Sequence, residues 1–347
     1  MSEPFLNVKD FGAIGDGQVD DEPAISMALA AAVSQNSGLN PERRGGTVCL
    51  PAGVYRCGKG LILPPRVRLL GSGRNTSVIS AGNAKNFDLI TADGNEWGLE
   101  HLGLAGGRCN LVNFSGHEIR LVGLHLWNAA ESAWLHDGSE NLIGGHVEDV
   151  EIECQGSRAG LEIGGPKQFS DLTLASVVFR GSSNLATGGQ AILDRNGVQR
   201  LHWVRCLLQG PFPTNRPAID MGNWLSVWFD GLTFADFIQM QAGVPLVRTR
   251  AGTTSRLITF CNTFATSAAN VTFGINGPTR SWAFYGGNLG GRPTTPSGAP
   301  AVNAFSFAPN AYMEAEFHSC EFSQNDLGLA QWRRAEFYGA NSPRRPS

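Results

Sequence analysis

The chain has 347 residues, a formal net charge of −3 and 44 glycines. That charge gives no case for nucleic acid or for an anionic membrane surface, and no apolar run approaches the ~18 residues of a spanning helix. Glycine is nearly double its usual ~7% and gathers in pairs such as Gly106-Gly107, Gly164-Gly165 and Gly286-Gly287, as in a chain that turns often.

The opening residues lack a basic start followed by an apolar core, so no signal peptide is expected. Seven cysteines make an odd number without metal-binding spacing, and buried free thiols are predicted, Cys206 and Cys320 at equivalent repeat positions. Residues 8–21 read Val-Lys-Asp-Phe-Gly-Ala-Ile-Gly-Asp-Gly-Gln-Val-Asp-Asp. Asp16 and Asp20 can bond local amides, and Asp20 or Asp21 caps a helix with Pro23 in its first turn. Ile25, Ala28, Leu29 and Ala32 share one face of that helix, which suits a lid over the open end of a solenoid. Metal or sugar binding by Asp16, Asp20 and Asp21 is the alternative, which capping makes unnecessary.

This segment resembles the N-terminal signature of the pectate lyase superfamily of right-handed parallel β-helices, which phage tailspikes and several glycoside hydrolases share. Gly45-Gly46-Thr47-Val48-Cys49-Leu50-Pro51-Ala52-Gly53-Val54-Tyr55 looks like that family's first coil, and Leu61 to Gly73 like its second. Between helix and first coil, residues 35–46 are expected to form a loop. The resemblance implies a right-handed fold and polysaccharide as the partner. Polygalacturonase-type motifs are absent, since Gly145-His146 is followed by Val147, and no catalytic residue of those families carries over.

Further along, a pattern apolar-x-x-apolar-x-apolar returns: Leu99/Leu102/Leu104, Leu121/Leu124/Leu126, Val147/Val150/Ile152, Leu174/Val177/Phe179, Trp203/Cys206/Leu208, Phe229/Leu232/Phe234 and Phe317/Cys320/Phe322. Weaker copies end at Phe264 and Leu289. Alternation is strand-like, and the extra residue between the first two apolar positions suits a strand rounding a corner. Short second strands follow at Leu111–Phe114, Leu161–Ile163, Ile219–Met221, Val247–Thr249, Phe273–Ile275 and Phe305–Phe307. No helix-length amphipathic segment separates them, so βαβ units are excluded. The predicted fold is all-β, a right-handed parallel β-helix solenoid with an N-terminal capping α-helix. Its parts are 1–44 (turn and capping helix), 45–323 (β-helix) and 324–347 (C-terminal cap and polar tail). Gly291 to Pro300 is read as a surface loop.

Two outward patches carry candidate chemistry. Aligning the second strands on their apolar pairs stacks Asn113, His136, Glu162, Asp194, Asp220, Arg248, Gly274 and Ser306 in one column, about 4.8 Å apart. Glu162, Asp194 and Asp220 then supply acid, base or nucleophile, with His136 and Arg248 binding substrate; the competing reading is a solvated acidic face. The separation of such carboxyls would sort a retaining from an inverting glycosidase. On the first strands, Asp149, Glu151 and Glu153 alternate, with His125 and Trp127 one coil earlier and Arg180 one coil later. A pyranose stacks on tryptophan while its hydroxyls take charged partners, although a charged exterior strand is the plainer account. His101, His146, His202 and His318 are read as structural, and Trp203, Trp224, Trp228 and Phe229 as packing.

The resulting expectation is a polysaccharide-degrading or polysaccharide-binding protein, foremost a phage or prophage tailspike-type depolymerase. A secreted lyase or hydrolase and a non-catalytic glycan-binding module are the alternatives. No cofactor or metal is expected, Ca2+ entering only for a lyase. A homotrimer in a virion tail or an extracellular setting fits this reading.

Overall fold

A computed structural model describes residues 5–34, 45–182, 188–213, 215–235, 244–266, 272–288, 305–320 and 332–338. Neighbouring coils pair in parallel from end to end, as a right-handed β-helix requires. One wall is a sheet of short strands running in chain order from Leu61–Leu63 to Phe305–Phe307. Longer strands, such as Gly116–Trp127 and Leu142–Glu153, form the remaining walls.

These long strands bend because two positions per coil are left-handed. The third residue of the repeat has positive φ in each successive coil: His101, Gly123, Asp149, Ser176, Arg205, Gly231, Asn262, Gly286 and Ser319. A second series runs Glu118, Gly144, Asp171, Arg200, Ser226, Leu257 and Ser281. The extra residue in the pattern is therefore a corner, as its spacing predicts. An L-residue there costs roughly 1–2 kcal/mol, offset by the burial that each corner makes available.

The apolar positions turn inward. Leu99, Leu102, Leu104, Val147, Val150, Ile152, Leu174, Val177 and Phe179 are all buried. Identical positions stack coil upon coil, so Phe229, Phe260, Phe284 and Phe317 form an inner ladder with centroids 4.8, 5.0 and 5.0 Å apart. Offset stacking at such distances adds to burial. The weak copy predicted to end at Phe264 is displaced by one residue: Phe264 is exposed, Thr263 is buried, and Ala265 pairs with Phe234.

At the N-terminal end, helix α1 (Glu22–Ser34) buries Ile25, Ala28, Leu29 and Ala32 and lies against strands Gly46–Leu50 and Leu61–Leu63. Asp20 Oδ1 accepts from Glu22 N and Gly58 N, while Asp21 receives Ile14 N and Gly15 N. Asp16 takes Gln18 N and Val19 N. All three carboxylates thus shape the lid. Leu6–Asn7 and Asp16–Asp20 also join the first coil as strands, and Trp332–Tyr338 pairs with Met313–His318 where a cap was expected. Residues 35–44, Leu289, Gly291 to Pro300, Phe322, 324–331 and the tail after Tyr338 lie outside the described residues. Among the described residues, no helix is long and apolar enough to cross a membrane.

Candidate functional site

The sheet of short strands divides the predicted acidic column in two. Leu135, Glu162, Leu193, Asp220, Arg248, Gly274 and Ser306 are successive neighbours on one side. Asn113, His136, Ile163 and Asp194 are neighbours on the other, facing the core. Asp194 and His136 therefore belong to a different face from Glu162 and Asp220, and the three acids do not form a ladder. Alignment on apolar pairs failed because this inner column itself contains polar residues, and a one-residue slip reverses every side chain.

Asp194 is fully buried. Its Oδ1 accepts from Asn196 N at 2.9 Å and its Oδ2 from Trp224 Nε1 at 2.6 Å and Gly222 N at 3.2 Å. Burial pushes its carboxyl up to about 6. His136 is equally enclosed, with Nδ1 2.8 Å from Asn113 Nδ2 and Nε2 without a partner among the described residues. Burial lowers its pKa to about 4. Neither group can touch a polymer outside, so both correct the sequence expectation.

Glu162 lies on the outer column yet has no exposed surface. Arg158, four residues earlier on the approach to the same strand, donates to its Oε1, and Arg195 of the next coil does so at 3.0 Å. Ser132 Oγ donates to Oε2 at 2.7 Å. The carboxylate thus anchors two half-exposed guanidinium groups. Beside them opens a cavity of about 450 Å³ lined by Leu135, Asp137, Arg158, Glu162, Arg195 and Asn196 together with a glycine turn. Gly164 N and Gly165 N donate to the carbonyls of His136 and Asp137, stacking this turn on the one before it. Asp137 accepts from Ser139 N and Oγ at 2.8 Å and has no ion pair among the described residues. Farther along the column, Asp220 is clamped by Arg248 at 3.1 and 2.6 Å.

Sequence reasoning missed Asp137, Arg158 and Arg195 as members of this site. Arg158 at four residues before Glu162 was the visible signal; Asp137 sits in a turn and had none.

The second patch comes together on a long-strand wall around His125, Trp127, Glu151, Glu153 and Arg180, without Asp149, which lies at a corner. His125 neighbours Glu151, and Glu153 neighbours Arg180. His125 Nε2 is 3.0 Å from Glu153 Oε1, and its ring stacks on Trp127 at 4.4 Å. Arg180 Nε donates to Glu151 Oε1 at 2.7 Å. Asp149 is drawn off by Arg74 at 2.9 Å. Of the predicted packing aromatics, Trp203, Trp224 and Phe229 are buried, whereas Trp228 is exposed.

Lid, corners and parallel coils define a pectate-lyase-type right-handed β-helix protein. More narrowly, residues 5–196 match the family model described as "Rhamnogalacturonase A/epimerase, pectate lyase-like", and the chain belongs to that family. It is 39% identical over 119 residues to mannuronan C5-epimerase AlgE3 of Azotobacter vinelandii, a stretch covering 30% of this chain and 6% of that protein. Against alginate lyase 7 of the same organism it is 37% identical over 116 residues, 26% of this chain and 13% of the lyase. The matched stretch is thus a small part of either relative. Among solved structures, Geobacillus virus E2 ORF18 superposes with TM-score 0.63 at 17% identity, covering 92% of this chain and 61% of that one. The A-module of A. vinelandii mannuronan C-5 epimerase AlgE6 superposes with TM-score 0.60 at 16% identity, covering 98% and 100%. Tailspike gp49 of Acinetobacter baumannii bacteriophage Fri1, a capsular polysaccharide depolymerase, gives 0.57 at 10%, covering 100% and 65%.

Proposed function

We propose that the protein acts on a polysaccharide bearing carboxylated sugars, bound at the cavity beside Glu162. The observation that carries this reading is the buried Glu162 carboxylate holding Arg158 and Arg195 at the cavity wall. Two guanidinium groups fixed in this way suit a uronate carboxylate, which they can grip by paired hydrogen bonds. The names of the epimerase and lyase relatives support the same substrate class.

Glu162 then positions the arginines and does not transfer a proton. Asp137 is the acidic group left for that task, since Glu162 and Asp220 are both committed to arginine. A base that takes the proton next to a uronate carboxylate leaves its electron pair delocalised onto that carboxylate, where Arg158 and Arg195 offset the growing charge. Return of a proton from water to the opposite face inverts the sugar carbon. Loss of the neighbouring glycosidic oxygen, which takes a proton from water and leaves as the hydroxyl of the new chain end, instead cleaves the chain and forms a double bond. Both outcomes fit this site better than a two-carboxylate glycosidase does.

The finer setting in this reading is a tailspike-type depolymerase on bacterial surface glycans, as a homotrimer in a virion or outside the cell. Its support is the overall shape shared with the phage proteins. Polymannuronate, pectate, purified capsules and a neutral α-glucan are incubated with the protein and followed by unsaturated-uronate absorbance, reducing ends and proton NMR. A uronate polymer should change and the neutral glucan should not, with the change lost in Asp137→Asn. Cleavage confined to the neutral glucan overturns the reading, and a monomer by light scattering overturns the tailspike setting.

A further inference from the structure

We propose that His125, Glu151 and Glu153 bind one divalent first-row transition-metal ion, on a different wall of the β-helix from the Glu162 cavity. Strand register sets the donors close together. His125 and Glu151 are direct neighbours in adjacent coils, and Glu153 follows two residues later on the same outward face. Their ligand atoms all lie within 4.8 Å of one another. An octahedral ion with bonds of about 2.1 Å keeps adjacent donors about 3.0 Å apart, and His125 Nε2 stands 3.0 Å from Glu153 Oε1. Two donors are therefore at coordination spacing, and the third closes by rotation of Glu151.

The lone pairs point the same way. Asn75 Oδ1 lies 3.2 Å from His125 Nδ1. With the Nδ1 proton given to Asn75, a neutral ring turns its Nε2 lone pair toward a carboxylate oxygen, acceptor against acceptor. Either a second ring proton or a metal cation between them removes that conflict, and an outer hydrogen bond of this kind is what fixes a metal-ligating histidine in its tautomer. Trp127 holds the ring by stacking.

Charge also leaves room for a dication. Arg180 offsets one of the two glutamates, and it engages Glu151 only through Oε1, its other arm reaching Gln209. Glu151 Oε2 has no bond among the described residues and is available as a ligand. Asp149 and Arg74 form a separate neutral pair. One imidazole with two carboxylates suits Zn2+ or Mn2+, whereas Ca2+ favours six to eight oxygens. The three side chains are partly open to solvent, which leaves outward coordination positions for water or a sugar oxygen.

Calorimetric titration of the chelator-treated full chain with zinc or manganese chloride tests this directly. One equivalent should bind, at least tenfold more weakly in both His125→Ala and Glu153→Gln, and tenfold excess Ca2+ should not displace it. The ion should raise the melting temperature of the wild type and not that of Glu153→Gln, with circular dichroism establishing that both variants are folded. Absence of binding by the folded wild type, undiminished binding by folded variants, or equal preference for Ca2+ overturns the proposal.

Discussion

Arg195 Nε stands 3.0 Å from Glu162 Oε1 across 33 residues of chain, and Arg158 reaches the same oxygen from four residues away. One arginine is local and the other is brought by the next coil. Together with Ser132 they bury a carboxylate that strand geometry alone would leave facing water.

Substituting Arg195 by alanine should therefore weaken binding of a uronate polymer by roughly tenfold or more, consistent with the loss of one charge-assisted contact. Stability should fall by about 1–3 kcal/mol, because the buried Glu162 carboxylate loses one donor while keeping Arg158 and Ser132. Affinity electrophoresis in alginate gels, read beside a denaturant titration, separates the two effects. Equal retardation of the variant and the wild type would remove the arginine pair from substrate recognition.

Asp194 and His136 should oppose each other in acid. The raised carboxyl of Asp194 favours the folded state when protonated, so its contribution is full below about 3.8 and lost as pH rises through about 6. His136 is lowered from 6.5 to about 4, so its contribution is present at neutral pH and lost as pH falls through that window. Between pH 4 and 6 the two nearly cancel in the wild type. Asp194→Asn should unmask the histidine and make stability fall with acid by about 1.4 kcal/mol per pH unit relative to the wild type. The same variant should lose about 1–3 kcal/mol at neutral pH, because one of its donors, Trp224 Nε1 or a backbone amide, meets an amide NH2. Urea titrations at several pH values measure both; parallel pH profiles would show that Asp194 does not titrate in this range.

The turn that bounds the cavity is equally constrained. Gly138 has φ of +74°, and a Cβ there would sit 2.4 Å from the Gly165 backbone nitrogen in the stacked turn. Gly138→Ala should cost upwards of 1–2 kcal/mol and weaken polymer binding by pushing the turns apart. Ser139→Ala, on an exposed neighbour, should change stability far less. Thermal melts compared with binding isotherms check the pair.

All seven cysteines are free, and five of them are buried, with only Cys49 and Cys261 partly accessible. Burial raises the pKa of the enclosed thiols, as at Cys57, Cys154 and Cys206, and holds them in the unreactive protonated form. A thiol reagent applied to the native protein should therefore modify at most two groups, and all seven after unfolding. Fast modification of more than two would contradict the burial of these five thiols.

The coils were legible because their signal is local. An apolar triplet with one extra residue tells where a strand runs and where it bends, and a capped amphipathic segment reveals the lid. The outward patch of His125, Glu151, Glu153 and Arg180 was equally readable, since it lies on strands whose inward residues are all apolar. The second sheet was not, because Asn113, His136 and Asp194 point inward while looking like surface residues. Their burial is tolerated because partners from adjacent coils meet most of their polar atoms, His136 Nε2 excepted: Trp134 Nε1 donates to Asn113, Asn113 pairs with His136 Nδ1, and Trp224 Nε1 donates to Asp194. The chain by itself determined the winding and the lid; stacking alone decided which side of each short strand faces the core, since hydrogen bonding from a neighbouring coil offsets the cost of burying a polar group.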